Sequence, residues 1–556
     1  MLRAIFNSAV ALCFISILYK VNSEKNASSI ADLDTIDQLR GMMLQLNNKS
    51  KRRNKSSGIG NEFVAKTLGS NMVLQQNTPT YVYGFSTSQN NPIKLTFLSV
   101  TYTTVSSSTA AIDGGYYWQI DLPPISGGFK SYTIQIESST GESAALNNIV
   151  FGEVFLCSGQ SNMQLALDSD MNSTAEINDA DNYPFIRIFA NALDYSMDPP
   201  VNPMDDISYA MLPWAESSKK SVNDTAYTFF SAICYLSGKN IFLNQLGSKI
   251  PVGLVSSSWG ATLIVAWSPL EVTNECKGRK GGRNGTIGHP SVSSFDPNQW
   301  SALYNSMVAP FKRMKFRAVI WYQGESNVGE ENEYPCMFIG MMQSWRTLFQ
   351  EKMPFIYVQI STWDNTGVNT SIANFRNKQT QILSQASSSE VAMVTAADLG
   401  DPKSPYKAIH PRYKSEVGRR VALAAASLLY NNPVPHMGPL LETFYVNKLS
   451  NSITLKFTAS SCGVNGLQLH TPQECPRKEI CGYTSLVFAR FEDRNRIFKE
   501  ISASIKVFSN AIEISPKIAL GFGFDLKQVK YGQNDYPMMT VYNSLGVPLL
   551  PFILDV

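Results

Sequence analysis

Between residues 151 and 430, short apolar runs alternate with longer segments of helical periodicity. This alternation constrains the fold more than any other feature of the chain. The runs at residues 154–156, 185–189, 252–255, 318–321, 355–360 and 391–395 read as strands. A helical stretch spans 228–246, and residues 414–429 set Val417, Val421, Ala424 and Ala425 at helical spacing. Strands alternating with helices predict a doubly wound α/β architecture, a parallel sheet with helices on both faces. Such sheets carry their functional sites at the carboxyl ends of the strands.

The flanks have a different pattern. Residues 80–83, 93–98 and 132–136 are rich in β-branched and aromatic residues and are separated by Gly, Ser, Asn and Pro. They predict an N-terminal β-sandwich-like domain over 61–150. Runs at 452–457, 484–489 and 512–514 predict a C-terminal β-rich domain over 431–556. The 556 residues exceed what one hydrophobic core usually serves, which agrees with an α/β domain over 151–430 between two β-rich ones. Residues 24–60 are polar and basic and read as a disordered or processed leader.

Residues 1–23 have the form of a signal peptide. Arg3 precedes an apolar stretch over 4–19 that is short for a membrane span, and Val21 and Ser23 set small residues at a cleavage site. An uncleaved anchor is the alternative reading of the same segment. Sequons begin at Asn26, Asn48, Asn54, Asn172, Asn223, Asn284 and Asn369. Together these features predict a glycoprotein of the secretory pathway, secreted or lysosomal, with no later membrane span. In that compartment disulfides are permitted. Cys276 is expected to pair with Cys336, and Cys462 with Cys475 or Cys481, while Cys157 reads as a free core thiol. A formal net charge of +3 gives no reason to expect a nucleic-acid partner, and no Cys/His spacing suggests a metal.

Four strand ends carry chemistry. The first run leads into Ser158-Gly159-Gln160-Ser161-Asn162-Met163, where Ser161 sits near a predicted helix start. Backbone N–H groups there favour negative charge, although a serine in this place is often only a helix cap. The third run ends in Ser258-Trp259-Gly260-Ala261, and the fourth in Gln323-Gly324-Glu325-Ser326-Asn327. Gly260 offers an unobstructed backbone N–H and Asn327 a side-chain amide, both suited to an oxyanion. Of four histidines, only His410 falls at the expected sheet edge, between the last strand and the last helix, which makes it the candidate general base.

These blocks, with Tyr304-Asn305-Ser306-Met307, Ile409-His410-Pro411, Val417-Gly418-Arg419-Arg420 and Tyr542-Asn543-Ser544-Leu545-Gly546, resemble the sialate O-acetylesterase family of the SGNH hydrolase superfamily. The resemblance covers most of the chain after about residue 61. It implies an SGNH-type sheet, a serine nucleophile at Ser161 and a base at His410. It implies oxyanion donors at Ser161, Gly260 and Asn327; Gln160 and Gln323 beside them are candidate substrate contacts, and the mechanism these residues would run needs no cofactor. It also implies a substrate, an O-acetylated sialic acid or related glycan. Two departures stand out. Lys407 occupies the position where many relatives carry the acid that orients the histidine, which leaves Asp398, Asp401 or a backbone carbonyl for that role. Ala261 stands where family members often have a second glycine.

Other readings of the same residues remain open. An acetylxylan-type esterase would use the same machinery. Sialate carries a carboxylate that a nearby cation would favour, and Arg283, Lys403 and Lys407 are the candidates by position. A non-catalytic carbohydrate-binding glycoprotein would account for the β-rich flanks but not for the residues at three strand ends. A glycosidase would need two convergent carboxylates, for which Glu325 and Asp398 are the only proposals.

Overall fold

The structure, a computed structural model, describes residues 62–111, 114–193, 204–223, 230–277, 297–363, 371–470, 481–482, 484–492, 495–520 and 523–556. All of them belong to one unit, Ile59–Val556. The expected signal segment, the leader, Arg283 and the sequons at Asn26, Asn48, Asn54, Asn284 and Asn369 lie outside the described residues.

The N-terminal strands are β1 (Val73–Gln75), β2 (Thr80–Ser86), β3 (Pro92–Phe97), β4 (Val100–Val105), β5 (Tyr116–Leu122), β6 (Gly128–Ser138) and β7 (Ser143–Gly159). In β3 exposed residues alternate with buried Ile93, Leu95 and Phe97, the pattern of a sheet with one wet face. β3 pairs antiparallel with β4 and β6, β6 with β7, and β2 with β5. β7 is 17 residues long and serves two sheets. Its first half pairs with β6, and from Glu153 onward it runs parallel to later strands.

Those later strands are β8 (Ile186–Asn191), β9 (Ala210–Glu216), β10 (Val252–Ser258), β11 (Ala318–Tyr322), β12 (Phe355–Gln359) and β13 (Val391–Thr395). Their order is β13-β12-β11-β7-β10-β8-β9, all parallel except the edge strand β9. β10 to β13 are buried along their whole length, as expected where helices cover both faces. Among the helices are α1 (Ser161–Gln164), α2 (Ala232–Asn244), α3 (Leu270–Cys276), α4 (Tyr334–Phe349), α5 (Ser371–Gln385) and α6 (Lys414–Leu429). α2 packs on α6, and α3 and α5 pack on α4. α2 starts later than the periodicity suggests because the Ser231 hydroxyl caps it, accepting from the Cys234 N–H at 3.2 Å.

The C-terminal strands form a seven-stranded antiparallel sheet. In spatial order they are Leu441–Asn447, Ser452–Phe457, Ala511–Pro516, Asn495–Val507, Ser485–Glu492, Asp525–Tyr531 and Phe552–Asp555. This sheet has its own apolar core around Ile453, Leu455, Phe488, Ile512 and Ile514. By contrast, a single core runs from Ala65 in the N-terminal strands to Leu429 at the end of α6. The boundary read between residues 150 and 151 therefore falls inside β7 and inside that core.

Cys276 and Cys336 form the expected disulfide, tying α3 to α4. Cys157 corrects its reading: it is bonded to Cys234, joining β7 to α2 just below the nucleophile turn. An apolar strand position hides a half-cystine as readily as a free thiol, so the sequence alone misled. Cys462 is a buried free thiol, not the partner of Cys475 or Cys481; Cys475 lies outside the described residues. Of the described sequons, Asn172 is exposed and Asn223 is partly buried. Among the described residues no helix is long and apolar enough to cross a membrane.

Candidate active site

β7, β10 and β11 lie side by side at the centre of the sheet, and each ends in one of the blocks singled out above. Gly159 closes β7 at φ 138, a conformation side chains resist, and a Cβ there would stand 2.1 Å from the Tyr322 carbonyl oxygen of β11. The next residue is pinned as well, the Gln160 N–H donating to Tyr322 O at 3.0 Å. Ser161 then opens α1, where the first N–H groups of a helix have no partner within it.

His410 arrives from the loop after β13. Its Nε2 is 2.8 Å from Ser161 Oγ, and its Nδ1 is 2.7 Å from the Tyr406 carbonyl oxygen. The ring therefore donates from Nδ1 and accepts the serine O–H at Nε2. The loop is fixed by Ser404 Oγ donating to His410 O at 2.6 Å and by His410 N donating to Lys407 O at 2.9 Å. Burial pushes the imidazole down to about 4; the Tyr406 carbonyl opposes that, and the nearby Lys414 and Lys407 ammonium groups reinforce it.

The carbonyl displaces both candidate acids. Asp398 is held bidentately by Arg420, at 2.6 and 2.8 Å, and accepts from the Tyr542 hydroxyl at 3.1 Å. Asp401 is held by Arg412, at 2.6 and 3.0 Å, which keeps its carboxyl below the usual range despite burial. A guanidinium fork matches a carboxylate better than an imidazole does, so each aspartate is drawn to its arginine. Glu325 and Asp398 also do not converge, because Glu325 belongs to a separate buried network.

Both oxyanion candidates beyond Ser161 already have hydrogen-bond partners in the protein. Asn327 is buried, and its Oδ1 accepts from Ile264 N at 3.0 Å and Gln323 Nε2 at 2.7 Å. Those two bonds fix which way the amide faces. Its Nδ2 donates to Glu330 Oε2 at 3.0 Å, and an amide nitrogen carries a second hydrogen. The Gly260 N–H is taken up by Gln164 Oε1 at 2.6 Å, so in the free protein a side-chain oxygen occupies that donor. Ala261 adopts φ 57, a left-handed conformation that glycine takes at lower cost. The Asn298 amide holds its carbonyl at 3.1 Å.

Gln160 and Gln323 are corrected from substrate contacts to braces. Gln323 is fully buried, donating to Thr262 O and Asn327 Oδ1 and accepting from the Tyr334 hydroxyl. Gln160 is also buried, and its Oε1 accepts from the N–H groups of Gly324 and Ser326. Lys403 and Lys407 are exposed on the loop that carries His410. A cavity of about 620 Å³ lined by Gln76, Glu153, Arg317 and Lys352 opens instead beside the middle of β7 and the amino end of β11. Its carboxylate is paired with Arg317 at 3.2 Å. Among the described residues no cluster of His, Cys, Asp and Glu could hold a metal ion. Sequence reasoning missed Gln164, though it lies three residues beyond the nucleophile, one helical turn away.

An α/β fold with a Ser–His pair at the carboxyl edge of its parallel sheet is an arrangement suited to ester hydrolysis. Comparison with known proteins agrees. A family model described as carbohydrate esterase, sialic acid-specific acetylesterase matches residues 151–427. The sialate O-acetylesterase of Mus musculus is 29% identical over 442 residues, covering 72% of this chain and 80% of that protein. That of Homo sapiens is 29% identical over 442 residues, covering 73% and 81%. A solved carbohydrate acetylesterase from Xanthomonas citri shares the fold with a TM-score of 0.69 at 23% identity, covering 89% of this chain and 99% of that one. The chain is thus similar to the sialate O-acetylesterases over most of its length and is an ester hydrolase.

Proposed function

We propose that the protein removes O-acetyl groups from sialic acid through an acetyl-enzyme formed on Ser161. The observation that carries this reading is the 2.8 Å contact between His410 Nε2 and Ser161 Oγ, in a chain similar to the sialate O-acetylesterases. His410 takes the serine proton as Oγ bonds to the acetyl carbon. The carbonyl electron pair moves onto oxygen, held by the N–H groups of Ser161 and Gly260 and by Asn327 Nδ2. The substrate oxygen displaces Gln164 Oε1 from Gly260. The C–O bond to the sugar then breaks, and the leaving oxygen takes the proton from His410. Water, deprotonated by the same ring, releases acetate and restores the serine.

Sialate carries a carboxylate, and the exposed Lys407, three residues before His410, is positioned to favour it. The secretory route belongs to this reading, supported by two disulfides and an exposed sequon at Asn172. The test compares acetate release from O-acetylated sialic acid and acetylated xylan, with and without a fluorophosphonate that reacts with nucleophilic serines. Faster release from the sialate, stopped by labelling of Ser161, is expected. Preference for xylan names the other subclass, and release that continues after full labelling overturns the nucleophile.

The pH dependence follows from the buried ring. Its neutral form is the base, and its affinity for protons falls to about 4 in the folded protein. The groups facing it are Ser161 Oγ, the Tyr406 carbonyl and the Lys407 and Lys414 ammonium groups, with the nearby Asp401 paired to Arg412. The rate constant kcat/KM is expected to stay level from neutrality to about pH 5 and to halve near pH 4. A fall centred at the ordinary histidine value, near 6.5, would count against this environment.

A further inference from the structure

Asn162 follows the nucleophile and is wholly buried. Its Nδ2 donates to Glu325 Oε1 at 2.5 Å and to the Ile409 carbonyl at 3.0 Å. Its Oδ1 accepts from Lys414 Nζ at 2.5 Å. These partners come from three separate segments: the turn after β11, the loop that carries His410, and the first residue of α6. Asn162 is one residue beyond Ser161, and Ile409 is one residue before His410. A single carboxamide therefore ties the backbone of the nucleophile to the backbone of the base.

The surroundings select an amide for this place. Glu325 and Lys414 are 6% and 1% exposed and lie on either side of the carboxamide, and burial pushes the Glu325 carboxyl up and the Lys414 ammonium down to about 7. One needs a donor and the other an acceptor, and among uncharged side chains of this length only an amide offers both at one end. Neither group touches Ser161 Oγ or the His410 ring in the contacts described above. In a Ser–His–Asp triad the acid holds the ring in orientation. Here a main-chain carbonyl does so, and the loop bearing that carbonyl has to be held by something else.

We propose that Asn162, clamped between Glu325 and Lys414, is the positioning residue that fixes the approach of His410 to Ser161 in a site without a triad acid. This rests on the assignment of Ser161 and His410 given above. Asn162 does not touch the substrate, so its loss acts on the rate and not on sugar recognition. Misplacing reacting groups by about 1 Å costs about 10²-fold in rate.

Asn162→Asp keeps the size but removes the donor to both Ile409 and Glu325, and it sets two carboxylates against each other. It is expected to lower kcat and the rate of fluorophosphonate labelling together by about 10²-fold, with KM within threefold of wild type. The double variant Asn162→Asp/Glu325→Gln separates positioning from folding. The new amide at position 325 can donate to the new carboxylate at position 162, which restores that bond but not the one to Ile409. Thermal stability is expected to recover while kcat and labelling stay low. If the double variant regains kcat along with stability, Asn162 is only structural and the proposal fails. It fails equally if the single variant folds and keeps wild-type labelling. Wild-type protein that labels at another serine would instead remove the Ser161–His410 assignment, a result these variants do not produce.

Discussion

Ser161→Ala is expected to lower acetate release by at least about 10⁴-fold while leaving the melting transition in place, since groups acting as a unit are lost together. His410→Ala should match it, because without the base the serine O–H has no acceptor at 2.8 Å. The informative comparison is with the two aspartates. In a triad, converting the acid to its amide costs about 10⁴-fold by reversing the ring tautomer. Here the ring hydrogen on Nδ1 goes to the Tyr406 carbonyl, and Asp401 is bonded to Arg412. Asp401→Asn should therefore change kcat by less than about tenfold, well short of the loss a triad acid would show. Asp398→Asn should register in stability, since breaking a buried ion pair from one side costs about 3–5 kcal/mol. Steady-state kinetics and denaturation on the four variants give the pattern. A 10⁴-fold loss in folded Asp401→Asn would overturn the assignment of the carbonyl.

Gly159→Ala is expected to yield no active folded protein. A Cβ at this position lies 2.1 Å from the Tyr322 oxygen and 3.0 Å from its nitrogen, both main-chain atoms of the paired strand β11. Relief would require β7 and β11 to part by more than about 1 Å at the centre of the sheet, and overpacking of even an ordinary core costs about 1–3 kcal/mol. Gly141→Ala supplies the control. It too has positive φ, at 97, but nothing lies within 4 Å of the place its Cβ would take. It should cost about 1–2 kcal/mol of backbone strain and keep wild-type kcat. Soluble yield, thermal melting and kcat on the two variants decide the matter; an active, folded Gly159→Ala would refute the steric argument.

What the sequence disclosed and what it withheld divide along a physical line. Ser161, Gly260, Asn327 and His410 were readable because each follows an apolar run in an alternating pattern, and parallel sheets gather such positions at one edge. The parallel sheet covered on both faces followed from the same pattern, whereas the order of its strands did not. The partner of His410 was not readable, because every residue carries a carbonyl and only the path of the loop decides which one meets Nδ1. Asp398 and Asp401 misled for the complementary reason: their nearness in sequence to His410 says nothing of Arg420 and Arg412, which claim them in space. Gln160 and Gln323 looked like substrate contacts because they flank the site in sequence, yet burial turns both toward the backbone. The Cys157–Cys234 bond needed the packing of α2 against the sheet.

The double service of β7 limits how this enzyme can be taken apart or rebuilt. Its residues 143–151 are laced to β6, and 153–159 to β10 and β11. No linker separates the two stretches, so no hinge lets one sheet swing against the other. Shortening or lengthening β7 by a single residue would turn its alternating side chains to the wrong faces on one side of the change, with Ser161 only two residues past the strand's end. Grafting a foreign module ahead of the α/β layers, or expressing those layers alone, would cut a shared beam and strip cover from a common core. The N-terminal strands are in this sense part of the catalytic frame, inherited with it and exchangeable only as a whole.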